Sequence, residues 1–573
     1  MNPPNPAIVA QAAVRRLPRP ALLLFCLAYV LPGFVWRAPW RSADITAFGF
    51  MLELAGHNSP WLDPQLMGQR PEVDALLPYW LGAWALQLAP SWVAPDFAAR
   101  LPFIGLLILT LAAVWQGIYY LARSPLAQPV AFAFGGEARP ADYARAMADG
   151  GLLAFIACLG LAQLSHETTP AQVQLCLTAL AFYAVAAMPY RRVGPALAGT
   201  AALLGLTLSG APALALLLGL GSLLIHLLDR QDPASPETAV TRQNARWLWG
   251  MALVTVVAAA LATVLDLWRW RIAWPAWRWS TWHGLGSLLL WFTWPAWPLV
   301  LWTLWRWRHQ VFSVRIRRHL ALPLWFAVVT VAATLVTPAE DRALLLALPS
   351  LATLAAFALP TLERSVSALI DWFTLLFFTG CALVIWVVWI AMQTGFPPQP
   401  AANVARLAPG FETGFTILPF VFATLATLAW AWLVKWRVGR HRAAIWKSLV
   451  LPAGGAALCW LLLTTLWMPL LDFARSYQPL VRRVEALVQP ATCLQTFGLT
   501  QGQLAAFKFH SRLQLEPATD QARCAWLVVE RDMVRQIPEM ISPLQWTVHS
   551  TLGHPREGEE DIVIYRRAGP SRP

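Results

Sequence analysis

Charged residues are scarce in this chain: they make up 13% of its 573 residues, against 58% hydrophobic. With a mean hydropathy of +0.51, it has too little polar surface to face water on all sides, which excludes a soluble globular protein. Lysine is almost missing. Lys435, Lys447 and Lys508 are its three lysines, so nearly all of the positive charge is arginine, which stays protonated and pairs bidentately with phosphate. The alternating stretches of about ten residues that build a membrane barrel are also missing, which removes that class. No phosphate-cradling glycine loop of the Walker form occurs, and the glycine pairs inside apolar runs read as sites of close helix packing.

What the chain has instead is apolar runs of roughly 18 to 22 residues, each matching the bilayer's hydrocarbon core at about 1.5 Å of rise per residue. They place helices at about 20–36, 101–122, 149–165, 172–189, 194–209, 212–229, 247–267, 284–305, 320–337, 343–360, 372–394, 414–434 and 448–470. The fold class is an all-α polytopic membrane protein with about thirteen transmembrane helices. Its net charge of +13 and pI of about 9.9 lie in short clusters between apolar runs, which fits orientation in a membrane and not nucleic-acid binding. Arg15, Arg16 and Arg19 precede the first run, as in a start-transfer helix whose N-terminus stays in the cytoplasm, and no cleavable signal peptide is required. The basic clusters at Arg191 and Arg192, 230–246, 306–318 and 435–447 then fall on the cytoplasmic side.

An odd number of spans carries the chain after residue 470 to the exoplasmic side. The expected plan is a transmembrane domain, 1–470, whose first exoplasmic loop is 37–100, and a small C-terminal periplasmic domain, 471–573. In that domain, 472–487 has helical periodicity, and 524–530 and 561–567 are runs of strand length, which predicts a small α/β module. Cys493 and Cys524 are the cysteines of this compartment; an oxidising periplasm lets them bridge, though the sequence leaves their separation open. Cys26, Cys158, Cys176, Cys381 and Cys459 lie inside membrane runs as small apolar packers.

The first exoplasmic loop is too long and too mixed to be a simple connection. Residues 76–93, LLPYWLGAWALQLAPSWV, are apolar and aromatic but interrupted by Pro78 and Pro90, and read as a helix lying in the membrane interface. Residues 44–55 predict another short helix. Asp44 stands about eight positions past the first span, at a depth where a bare carboxylate is expensive and marks function. It could equally cap the helix that follows, and the two roles are compatible.

From Ala43 the string ADITAFGFMLELAGHNSPWLDPQLMGQRPEVDALLPYWLGAWALQL, followed by FAARLP at 97–102, resembles the first exoplasmic loop of the lipid A aminoarabinose transferases and protein O-mannosyltransferases, membrane glycosyltransferases of the GT-C type. That family opens its loop with an Asp-Glu pair, continues through Trp-x-x-Pro-x-x-x-Gly, Glu-Lys-Pro-Pro and Tyr-Trp-Leu, and enters the next span through Phe-Ala-Ala-Arg-Leu-Pro. Here the matching positions are Asp44, Trp61, Pro64, Gly68, Tyr79, Trp80, Leu81 and 97–102. A second match, ALLLALPSLATLAA after Arg342, is similar to the family's Arg-Tyr-Leu-Leu-Pro span near its lipid-phosphate site. The order of spans followed by a small exoplasmic domain agrees over essentially the whole chain. The departures fall where the chemistry would be. The second acid is Ile45, and the Glu-Lys-Pro-Pro segment reads Val73-Asp74-Ala75-Leu76, leaving Arg70 as a substitute for the lysine. For the family's acid in the second exoplasmic loop, this chain offers Glu167.

The resemblance implies an inverting transfer of a sugar from a polyprenyl-phosphate carrier to a lipid, glycan or protein acceptor, at the periplasmic face of a bacterial inner membrane. Asp44 would take or orient the acceptor's proton, with Glu167 as the second catalytic acid. Arginines would stabilise the departing lipid phosphate. Arg342 is the first candidate, since it lies between two spans beside Glu340 and Asp341; an ion pair with either neighbour is the plainer reading. Arg70 and Tyr79 join it as substrate-binding candidates. So do Arg269 and Arg271, which are interleaved with tryptophans at 268–282, although an aromatic belt with snorkelling arginines explains that loop as well.

His166-Glu167 begins like the zinc motif H-E-x-x-H, but Pro170 stands where the second histidine should be, so a zinc protease is rejected. Glu167 could also simply cap a two-helix turn. Some family members use a divalent metal, which Asp44 and Glu167 could share; metal use stays open, and no metal ligand is assigned. The expected partners are the sugar-carrying lipid, a lipid or glycan acceptor and membrane lipids, for a monomer that binds no nucleic acid. The rival is a non-catalytic polyprenyl-phosphate-binding scaffold or a transporter that keeps the fold. Transporters usually carry paired, interrupted helices in two halves, and no internal repeat is evident.

Overall fold

The computed structural model describes residues 6–228, 238–268, 275, 277–313, 316–337, 340–438, 444–518, 524–536, 546–553 and 561–567. Every predicted run coincides with a helix or a broken helix pair. Among the described residues, 7 helices are long and apolar enough to cross a membrane, or 8 if the pair Trp279–Phe292 and Ala296–Arg306, bent by 86°, counts as one span. Shorter apolar helices are Arg19–Val30, Val193–Leu208, Pro212–Leu228 and Leu348–Thr361. The protein is a multi-pass helical membrane protein that ends in a small α/β domain.

Four runs read as continuous are broken: 284–305 between Phe292 and Ala296, 448–470 at Trp467, and two more for local reasons. The run at 343–360 is Glu340–Leu345 followed by Leu348–Ala358, and Pro349 sits in the first turn of the second helix, where a missing N–H costs nothing. The run at 149–165 starts earlier, as Pro140–Ala157, and stops where Cys158 turns extended before the short helix Leu161–Leu164.

Contacts group the chain into two compact units. The first comprises Met1–Phe34, Phe103–Leu383 and Pro419–Thr465. Its interior is packed by small residues: a Cβ at Gly151 would lie 2.3 Å from the Ile118 side chain and 3.2 Å from Ala356 Cβ, the close helix approach expected from glycine inside an apolar run.

The second unit comprises Val35–Pro102, Val384–Leu418 and Leu466–Pro573. Its loop helices are Ala43–Ala55 and Leu77–Leu88, the latter ending just before Pro90. In its C-terminal part, 472–487 is two helices, Met468–Arg475 and Gln478–Val488, with Pro479 in the first turn of the second. Five strands follow: β1 (Cys493–Phe497), β2 (Gln514–Pro517), β3 (Trp526–Glu530), β4 (Trp546–Leu552) and β5 (Ile562–Arg567), in the order β2-β1-β3-β5-β4. β1 runs parallel to both β2 and β3, while β5 is antiparallel to β3 and β4. The parallel step from β1 to β2 needs a crossover, supplied by helix Gln501–His510 with its Thr500/Gln503 capping box. Leu527, Val529, Trp546, Val563 and Tyr565 form the core on one face of the sheet. Cys493 and Cys524 are bonded to each other, with Cα atoms 5.5 Å apart.

The crossover helix packs on the first loop helix. A Cβ at Gly49 would lie 2.5 Å from Ala505 Cβ, Phe48 meets Phe509 edge-on at 4.9 Å, and Lys508 forms an ion pair with Glu53.

Candidate functional site

The chain leaves its first helix through Trp36 and enters Ala43–Ala55 through Ser42, both non-glycine residues at positive φ, 57° and 71°. Such backbone persists only where its surroundings hold it. Asp44 lies in the first turn of the helix, where a negative charge is favoured. Its N-cap is Ser42, which makes no side-chain capping bond. The Asp44 carboxylate reaches back instead: Arg37 Nη1 donates to Oδ2 at 2.8 Å, and the Trp40 N–H donates to the same oxygen at 3.1 Å. The pair is almost wholly enclosed, with side-chain exposures of 2% for Arg37 and 1% for Asp44.

A second carboxylate closes this group from far along the chain. Asp472 Oδ1 accepts the Ala38 N–H at 2.9 Å and the Trp40 Nε1–H at 3.1 Å. Two cations lie over the Trp40 ring, with the guanidinium carbons of Arg37 and Arg475 at 4.8 and 5.1 Å from its centroid. Arg100 of the FAARLP segment is also buried and pairs with Asp96 at 3.3 Å. Burial pushes the Asp472 carboxyl above its ordinary value, against the pull of the Ala38 and Trp40 donors and of Arg37 and Arg100.

The other loop candidates are differently placed. Arg70 forks onto Asp63, Nε to Oδ1 at 2.9 Å and Nη2 to Oδ2 at 3.1 Å, in an exposed pair, and its carbonyl accepts from Gln501 Nε2 at 2.6 Å. Tyr79 is buried against Phe50, and its hydroxyl donates to the Val73 carbonyl at 3.5 Å. Burial raises its phenol pKa, with Asp74 and Glu72 adding to the effect. Trp80 donates to the Trp61 carbonyl at 2.7 Å, and Trp84 stacks on Trp61 with centroids 6.2 Å apart.

In the first unit, two residues chosen separately from the sequence meet. Arg342 Nη2 donates to Glu167 Oε2 at 3.0 Å, with side-chain exposures of 23% and 5%. Gln163 Nε2 donates to the other Glu167 oxygen at 3.1 Å. The neighbour pairing also occurs, since Arg342 Nη1 lies 3.8 Å from Asp341 Oδ1, which also accepts the Arg342 backbone N–H at 2.8 Å. His166 is enclosed by Tyr29, Phe34 and Trp460, with ring centroids at 5.5, 4.9 and 4.8 Å, a packing environment for the ring. Among the described residues, no group of three or more His, Cys, Asp or Glu side chains could hold a metal ion. Arg269 and Arg271 lie outside the described residues.

Sequence reasoning passed over Arg37, Trp40 and Asp472. A signal for Asp472 existed: it is an acid just past the last span, the same criterion that singled out Asp44.

No family model matches the chain, and no curated protein does. Solved structures do match. The crystal structure of ArnT from Cupriavidus metallidurans bound to undecaprenyl phosphate aligns with a TM-score of 0.59 at 13% identity, covering 96% of this chain and 98% of that one. ArnT from the same organism in the apo state aligns at 0.60, with the same identity and coverage. The protein has the fold of ArnT. At this identity the likeness to ArnT is one of architecture, and it extends over both units, from the spans to the C-terminal domain.

Proposed function

We propose that the protein is an inverting glycosyltransferase that moves a sugar from a polyprenyl-phosphate carrier to a lipid or glycan acceptor, at the periplasmic face of the bacterial inner membrane. The observation that carries this reading is the enclosed Asp44 carboxylate, held by Arg37 at the start of the first long loop, in a chain with the fold of ArnT, one of whose structures holds undecaprenyl phosphate. In the transfer, the acceptor oxygen attacks the sugar's anomeric carbon from the side opposite the lipid phosphate. The bond from that carbon to the phosphate oxygen breaks, and its electron pair leaves on the phosphate. Asp44 receives the acceptor's proton, and the fixed Arg37 guanidinium keeps the carboxylate aimed. Within the first unit, Glu167 fixes the Arg342 guanidinium, which is this reading's candidate ligand for a lipid phosphate. Arg70 and Tyr79 bind the donor.

The test is turnover of defined polyprenyl-phosphate sugars by the purified protein in lipid. The parent should release polyprenyl phosphate, and Asp44→Asn should lower kcat by roughly 100-fold or more. A parent that binds carrier lipid without ever turning it over belongs to the rival class, a lipid-binding scaffold; Ile45 at the position of the family's second acid favours that outcome. Orientation is tested separately: Ser42→Cys and Ser511→Cys should react with an impermeant maleimide on intact cells, and Arg192→Cys should not.

A further inference from the structure

We infer that Asp472 is a positioning residue for Asp44, acting through Trp40 and Arg37; the inference rests on the transferase reading of Asp44. The path is short. One Asp472 oxygen takes both the Ala38 N–H and the Trp40 indole N–H, at 2.9 and 3.1 Å, across 434 and 432 positions of chain. Trp40 gives its backbone N–H to Asp44, at 3.1 Å, and its ring lies against Arg37, whose Nη1 bonds the same Asp44 oxygen at 2.8 Å. Of these two donors, one belongs to a residue that Asp472 holds and the other rests against that residue's ring.

The anchorage is needed because the segment is strained. Residues 37–41 lie between Trp36 and Ser42, whose φ values of 57° and 71° are unfavourable for side-chain-bearing residues and relax unless the surroundings over-determine them. A second tie acts at the same place: the Arg41 N–H donates to the Arg475 carbonyl at 2.7 Å, and the Arg475 side chain covers the Trp40 ring. Helix Met468–Arg475 thus grips residues 38, 40 and 41. A carboxylate misplaced by an ångström loses most of its value as a base.

The experiment compares Asp472→Ala and Asp472→Asn with the parent in two readouts. The first is the mobility of a nitroxide attached to Ser42→Cys. The second is steady-state transfer from a defined polyprenyl-phosphate sugar, followed across pH. Asp472→Ala should loosen the label and lower kcat by about ten-fold or more with little change in the donor's KM. Asp472→Asn keeps an oxygen acceptor for both N–H groups, so the label should stay rigid and kcat should remain within about three-fold of the parent. It also removes a carboxylate from beside Arg37 and Arg100, the first of which pairs with Asp44, so the acid limb of the pH profile should move to lower pH. A merely structural residue would lower Tm and leave the label and the pH profile of the folded fraction unchanged, and that result overturns the inference. A rigid label in Asp472→Ala overturns it whatever the activity. If the parent shows no turnover, the transferase reading fails, while the label still decides whether Asp472 holds the segment.

Discussion

Arg37–Asp44 and Arg70–Asp63 are both guanidinium–carboxylate pairs, seven residues apart in sequence, within one loop. The first is enclosed, with exposures of 2% and 1%; the second stands in the open, at 51% and 39%. Burial makes them different objects. In the open pair each charge keeps its water, so the two-pronged geometry adds little stability. In the closed pair each charge has protein groups in place of water, and loss of one leaves the other a buried charge short of its main partner. The closed pair is costly to disturb, which suits the base role proposed for Asp44, and the open pair leaves Arg70 within reach of solvent, as its proposed role in donor binding requires.

The largest test of this contrast is Arg37→Ala, expected to cost about 3–5 kcal/mol of stability, read by chemical denaturation in detergent. A loss below about 1 kcal/mol would mean that Asp44 does not depend on Arg37 for its charge, and the contrast would collapse. Next comes a buried group that stays uncharged. Burial, reinforced by Arg482 and opposed by Asp96, lowers His510 from 6.5 to about 4. Between those values the unfolded chain binds more protons than the folded one, so stability is complete above about pH 6.5 and falls by at most about 3 kcal/mol as pH drops toward 4. His510→Gln should flatten Tm across that window; an unchanged acid slope would assign the loss to other groups.

An intermediate case is Glu167–Arg342, closed on one side only. Glu167→Gln should cost about 1–2 kcal/mol of stability, read by chemical denaturation, and raise the KM for the lipid donor by loosening Arg342. A change in kcat alone would move Glu167 into the chemistry. The smallest effect belongs to Arg70→Ala: less than about 1 kcal/mol of stability, with weaker donor binding if Arg70 stands in for the missing lysine. Equal donor KM in parent and variant removes Arg70 from the site.

Much of the fold was legible before any coordinates. Apolar run length located the helices, because backbone groups in hydrocarbon must bond within their own segment and a span has a fixed minimum length. The β-branched runs of β3 and β5 announced strands in the C-terminal domain. Asp44 was visible as a charge at an expensive depth, and Arg342 as an arginine between two spans. Their surroundings were not visible. No periodicity links Asp472 to Trp40, or Glu167 to the arginine 175 positions away that it binds.

The sequence by itself determined the class of molecule, its helices and the acids worth watching, because transfer from water to hydrocarbon is priced residue by residue along the chain. Tertiary structure alone decided that Asp44 is enclosed and Asp63 is not, and that Asp472 reaches the same indole. Burial and ion-pair partnership are set by what folds back over a residue, and the residues that do so here come from the far end of the chain.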